Sequence, residues 1–193
     1  LHVIVHSFPT RRSSDLNNAR SLFQVEEIPS DPQIRNLLDP LNSAEFQEDF
    51  WYILEELEAE KQIQQYQNEL GTYAIAIDGV AFFSSERISC NKCLKREDRN
   101  GTEHYYHSAI TPVFVKPGQT QVLSLPPEFI VPQDGKEKQD CERTAAKRWL
   151  KQHYPHFKEQ TITYLGDDLY ANQPLCQLIN ETYHQYFIFV CKP

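Results

Sequence analysis

The sequence predicts an α/β protein organised round a mixed sheet. Short, almost continuous apolar runs at 73–77 and 161–165 read as strands buried on both faces, and each ends in aspartate. Between them lies a segment with helical rather than alternating spacing, and ahead of them residues 31–57 repeat their apolar positions every three or four residues.

The 193 residues are 40% hydrophobic, enough for one ordinary domain with a small helical appendage. Residues 1–16 fit nothing that follows. Phe8-Pro9-Thr10-Arg11-Arg12-Ser13-Ser14-Asp15-Leu16 looks like a translated sequencing adapter, so this leader is set aside as non-native. Residues 17–70 form an acidic helical region. Ser30-Asp31-Pro32 offers a capping side chain and a first-turn proline, followed by Ile34, Leu37, Leu38 and Leu41 at helical spacing. A second helix opens near Asn42 or Ser43 and carries Phe46, Phe50, Ile53, Leu54 and Leu57. Its acids Glu48, Asp49, Glu55, Glu56, Glu58 and Glu60 are a solvated face.

The pattern changes at Gly71, where residues 71–193 begin the main domain. The run at 73–77 ends in Asp78-Gly79, a tight connection to a second strand over 80–83. A polar loop spans 89–103, a third strand falls within 105–115, and Pro126-Pro127 and Pro132 mark irregular structure. A helix over about 136–153 has Cys141, Ala145 and Trp149 four apart and stops at Tyr154-Pro155. The strand at 161–165 runs into Gly166-Asp167-Asp168, a short helix starts near Gln173-Pro174, and 186–190 is a last strand.

Composition narrows the function. No apolar stretch is long enough to span a bilayer and the N-terminus carries no secretory signal, which predicts a soluble cytoplasmic protein. Five cysteines, an odd number, favour free thiols or a metal site over disulfides. The net charge of −8 opposes nucleic-acid binding, yet it is unevenly placed: residues 17–70 hold twelve acids against three bases, and 71–193 hold fourteen of each.

Carboxylates at the ends of buried strands are costly unless they face a solvent cleft or hold a cation, although many strand-end acids only form turns. If the two strands are neighbours, Asp78 and Asp167 act jointly. Such oxygen ligands suit Mg²⁺ or Mn²⁺, and a pair of ions stabilises both the attacking and the leaving oxygen in phosphodiester cleavage. Cys90-Asn91-Lys92-Cys93 with His104 and His107 gives a second pattern, C-x2-C-x10-H-x2-H, similar to a structural Zn²⁺ site. An interval of three on one strand puts the two histidines on opposite faces, which favours a plain hairpin with reduced thiols. Cys141 is an additional candidate ligand, but its place on the apolar stripe favours burial.

Three stretches then carry a family resemblance: Ala76-Ile77-Asp78-Gly79 with Phe82-Phe83-Ser84-Ser85, His104-Tyr105-Tyr106-His107, and Leu165-Gly166-Asp167-Asp168-Leu169-Tyr170. Together they resemble the catalytic core of DDE transposases of bacterial insertion sequences, over roughly residues 17–193. The resemblance implies a ribonuclease H-like fold, with the first acid ending the first strand, the second following the fourth strand, and a Glu on a later helix. Asp78 matches the first acid. Asp167 matches the second, followed three residues on by Tyr170, with Asp168 the alternative. The third acid is expected past the strand ending near Val190, so the chain reads as a fragment that stops before it; Glu181 precedes that strand and fits a solvated helix end.

The resemblance further implies double-stranded DNA as partner, both transposon ends and target, an oligomeric parent enzyme and no membrane. Arg143, Lys147, Arg148 and Lys151 are the candidate DNA contacts, although solvating charges on a helix look the same. Two other readings stand beside this one: a different nuclease of the same fold, and a non-catalytic zinc-stabilised DNA-binding module. No Gly-Lys-Ser/Thr phosphate loop, Gly-x-Ser-x-Gly elbow or His-Glu-x-x-His pattern is present.

Overall fold

Ser30 caps helix α1 (Asp31–Leu38), with Pro32 in its first turn, as the sequence predicts. The Gln33 side-chain oxygen accepts hydrogen bonds from both the Ser30 amide and the Ser30 hydroxyl at 2.8 Å. The computed structural model describes residues 20, 21, 24, 30–132 and 141–191, so the leader lies outside the described residues. The chain divides into two compact units, Leu1–Phe46 and Gln47–Pro193. In the first, α1 buries none of its residues, and Ile34, Leu37 and Leu38 are exposed.

The second unit starts within the acidic helical region, with α2 (Gln47–Ala59), which buries Trp51 and Leu54. The strands follow as β1 (Tyr73–Ala76), β2 (Gly79–Ser85), β3 (Leu94–Glu97), β4 (Glu103–Ile110), β5 (Val113–Val115), β6 (Leu123–Ser124) and β7 (Glu128–Ile130). After them come α3 (Glu142–His153), β8 (Ile162–Gly166), α4 (Gln173–Gln177) and β9 (Tyr186–Phe189).

The described residues are thus mixed α/β, with two sheets. The five-stranded sheet has the order β6-β5-β1-β8-β9 and is itself mixed: β1 is antiparallel to β5 and parallel to β8, which is parallel to β9. The second sheet is antiparallel. Its long strand β4 pairs with β2 on one side and with β3 and then β7 on the other.

The single strand expected within 105–115 is two strands, one in each sheet. Pro112 has no amide to give a ladder, so β4 ends at Ile110 and the chain crosses to β5. The same boundary falls between β1 and β2, where the Thr111 amide donates to the Asp78 carbonyl at 2.9 Å. Asp78 therefore sits where the chain leaves one sheet for the other. Strand β3 lies in the expected polar loop; only Leu94 of its four residues is buried, so it is an edge strand of exposed charges without an alternating signal.

Helix α3 is described from Glu142, and the expected start near residue 136 lies outside the described residues. Cys141 is its N-cap and is exposed, contrary to the burial predicted for it; the buried stripe is Ala145, Ala146, Trp149, Leu150 and His153. Trp149 is fully buried and its indole donates to the Pro126 carbonyl at 2.7 Å, satisfying the polar atom of that side chain. Phe114, Phe157, Ile75, Ile162 and Tyr164 complete the centre of the core. The buried Gln185 side chain accepts from the Ile162 amide at 2.6 Å and donates to the Gln160 carbonyl at 3.1 Å, which pins the start of β8. Among the described residues no helix is long and apolar enough to cross a membrane.

Candidate functional site

β1 and β8 are paired in parallel, with Ala76 opposite Leu165, and the ladder extends one step further through the Ile77 amide to the Leu165 carbonyl at 2.9 Å. Two residues beyond that pair on each strand stand Asp78 and Asp167, at the same end of neighbouring strands. Asp78 is exposed and its carboxylate accepts from the Gly79 amide at 2.8 Å; Asp167 is exposed and accepts from the Leu169 amide at 3.0 Å. Asp168 is half-buried.

A third acid that the sequence analysis missed joins them. Glu142 opens α3, and its carboxyl lies over Gly79, in the space a Cβ there would need. Burial raises its pKa above the ordinary glutamate value, and the charges of Asp78 and Asp167 raise it further, while the hydrogen bond from Tyr170 opposes the rise. The Tyr170 hydroxyl donates to Glu142 at 3.5 Å from a fully buried ring, and its own pKa is pushed well up by that burial and by the same three carboxylates. Tyr170 packs against Gly166, where a Cβ would meet the ring at 2.8 Å. An acid in the first turn of a helix is favoured by the helix dipole, so Glu142 has an ordinary local reason to sit there too. The signal that could have found it was positional: the helix between the two aspartate-ended strands starts with an acid at the level of the strand ends. It was hidden because the sequence alone started that helix six residues earlier.

The second cluster is closer knit. The Cys90 and Cys93 sulfurs are 3.6 Å apart, and His107 Nε2 is 3.4 Å from each. Among the described residues these are the group of three whose ligand atoms all lie within 4.8 Å, and they can hold a metal ion. The carboxylates do not close to that distance. Cys93 is buried, which pushes its thiol up, whereas Cys90 is exposed. His104 does not join the cluster; it faces Asp98, Nε2 to carboxylate 3.5 Å, as the odd interval on β4 requires. Cys141 contacts Thr144 at 3.4 Å.

The four candidate DNA-contact cations separate into two kinds. Arg143 and Lys151 are exposed and Lys147 is half-buried, and the three recur every fourth residue along α3. Arg148 is bonded into the fold, its guanidinium donating to Glu128 at 2.7 Å and to the Phe129 carbonyl at 3.2 Å. Glu181, in the turn before β9, is exposed. Comparison with family models, curated proteins and solved structures finds no match.

Proposed function

We propose that the chain is the catalytic region of a DDE-class transposase, which cleaves and joins DNA with Mg²⁺ or Mn²⁺ held at the ends of β1 and β8. The observation that carries this reading is the pairing of two neighbouring parallel strands that each run into an aspartate. In chain order β1 is the first strand of the five-stranded sheet and β8 the fourth, which agrees with the ribonuclease H-like placement of the first two acids. Asp167 is the second acid in this reading, because it stands level with Asp78 at the end of the paired strand and its charge raises the pKa of Glu142.

The third ligand in this reading is Glu142 rather than an acid beyond Val190. Three carboxylates that repel one another in the free protein form a hard oxygen set, and a divalent cation relieves the repulsion. The bound ion would supply Lewis acidity to a phosphodiester. The chain's own part is to hold the carboxylates in place, with Tyr170 fixing Glu142 from the buried side. Arg143, Lys147 and Lys151 are the cations this reading assigns to DNA phosphates. The softer Cys90–Cys93–His107 cluster lies apart in the hairpin, and Zn²⁺ is the ion its donors fit.

The test is Mn²⁺ binding followed by electron paramagnetic resonance, with Mg²⁺-dependent cleavage of terminal-repeat DNA as the second readout. Wild type should bind Mn²⁺, and Asp78→Asn, Asp167→Asn and Glu142→Gln should each weaken it. Equal Mn²⁺ affinity in wild type and Asp78→Asn would overturn the assignment; full affinity in Glu142→Gln would return the third ligand to another residue.

A further inference from the structure

We propose that Cys90, Cys93 and His107 bind one Zn²⁺ through three protein donors and leave its fourth tetrahedral position open to an exchangeable water. The proposal rests on reading the cluster as a zinc site and adds its coordination number, which makes it an accessible metal centre rather than a closed one.

Geometry carries the first half. Tetrahedral Zn²⁺ with Zn–S of about 2.3 Å and Zn–N of about 2.05 Å places two sulfurs about 3.75 Å apart and a sulfur and a nitrogen about 3.55 Å apart. The observed triangle, 3.6 Å between sulfurs and 3.4 Å from each to His107 Nε2, matches those edges to within about 0.2 Å. The turn also presents the sulfurs as acceptors. The Cys90 amide donates to the Cys93 sulfur at 3.2 Å and the Lys92 amide to the Cys90 sulfur at 3.4 Å, which fixes both sulfurs on the turn. On binding, the two thiols release their protons to solvent and His107 offers the lone pair of neutral Nε2. Two thiolates then balance the ion's two charges, and the neutral unit suits its aromatic setting: Phe82 stacks on the His107 ring at 5.9 Å and Phe83 lies at 5.5 Å.

Exposure carries the second half. Among the described residues no fourth Cys, His, Asp or Glu reaches the three donors, and His104, the fourth member of the sequence pattern, is held by Asp98. Cys93 is buried, His107 half-buried and Cys90 exposed, so the triangle of donors meets solvent along its Cys90 edge. A three-donor site with an open position is the arrangement of zinc centres that exchange a ligand, whereas closed structural sites use four protein donors.

The experiment uses the whole chain, purified reduced and metal-free, then loaded with Co²⁺ in place of Zn²⁺. One Co²⁺ per chain should bind with the intense visible bands of a tetrahedral ion and thiolate charge-transfer absorption, and Zn²⁺ should displace it. Cys93→Ser should lose this uptake; His107→Cys, which keeps three donors, should retain it with stronger charge transfer and guards against a variant that merely misfolds. Adding imidazole should then shift the visible bands of the loaded wild type, as an exogenous donor replaces water. Bands that ignore imidazole would mean a fourth protein ligand and overturn the open position while leaving the zinc reading intact. Failure of reduced wild type to take up either ion, or undiminished uptake in Cys93→Ser, would overturn the zinc reading itself.

Discussion

The two candidate centres of the second unit are built in opposite ways. Cys90, Cys93 and His107 come from one turn and the strand beside it, and their donor atoms already stand at ligand spacing. Asp78, Glu142 and Asp167 come from two strands and a helix, span ninety residues of chain, and are coupled through charge without closing on one another. A local turn can preset a soft tetrahedral site, because a C-x2-C loop fixes two sulfurs with few torsions. On the proposed reading, a hard oxygen site assembled by topology would close only once a cation supplies the compensating charge.

The strongest way to break this contrast is a double dissociation of metals. Cys93→Ser should abolish stoichiometric Zn²⁺ uptake and leave Mn²⁺ binding unchanged, while Asp78→Asn combined with Asp167→Asn should do the reverse. Metal analysis of each variant after equilibrium dialysis reads both outcomes. Loss of both metals in either variant would mean that the centres are one cooperative structure, and the contrast would fall.

His153 tests whether the five-stranded sheet rests on a core that answers to pH. Its imidazole is 1% exposed, neither ring nitrogen has a hydrogen-bond partner, and burial lowers its pKa to about 4. It is surrounded by Trp51, Trp149 and His156; burial lowers the pKa of His156 as well, partly offset by Glu55. An unfolded chain protonates this histidine near 6.5, so between 6.5 and 4 the unfolded state binds more protons than the folded one. The stability it contributes is whole above pH 6.5 and falls as the pH drops to about 4, by a total of about 3 kcal/mol. Urea denaturation across that range should show the slope, and His153→Leu should flatten it. An unchanged slope in the variant would place the acid sensitivity elsewhere.

The strands that carry the site were the most legible part of the chain, because β1 and β8 read as unbroken apolar runs, although the structure buries one face of each and only half-buries the other. Their adjacency could be expected but not read, since pairing is set by the crossover through α3 and not by either strand. Helix α1 was legible through Ser30 and Pro32, a capping residue and a first-turn proline that act within a few residues of each other. By contrast β3, β6 and β7 have two to four residues each, too short for any period to register, and β3 is made of exposed charges. Glu142 was invisible for a different reason. Its meaning depends on which residue begins α3, and helix starts are the least determined feature of a sequence.

Gly79 offers a sharper probe of the carboxylate centre. A Cβ there meets the Glu142 carboxyl directly, so Gly79→Ala must displace that side chain. Because the displaced atoms are the end of a flexible side chain, we expect a stability loss below about 1 kcal/mol from the forced shift, with weaker Mn²⁺ binding beside it. Adding Glu142→Ala removes the obstacle and should restore most of the stability but none of the metal affinity, a non-additivity that chemical denaturation of the double variant measures. Additive losses would show that Gly79 is needed for something other than making room for Glu142.

The smallest expected effect separates cations that face outward from one that belongs to the fold. If α3 presents Arg143, Lys147 and Lys151 to DNA phosphates, neutralising any one of them should weaken duplex binding uniformly across sequences and lower the salt slope by about 1. Arg148 lies on the same helix and carries the same charge, but it spends its guanidinium on Glu128 and the Phe129 carbonyl, which tie α3 to β7. Arg148→Ala should therefore leave the salt slope unchanged and cost stability instead. Because the arginine is about a third exposed, solvent screening holds that cost to about 1 kcal/mol. Duplex binding titrated at several salt concentrations, beside denaturation of the same variants, tells the two kinds apart. A salt slope that falls as far in Arg148→Ala as in Arg143→Ala would mean that the whole helix face, and not one stripe of it, lies against the phosphates.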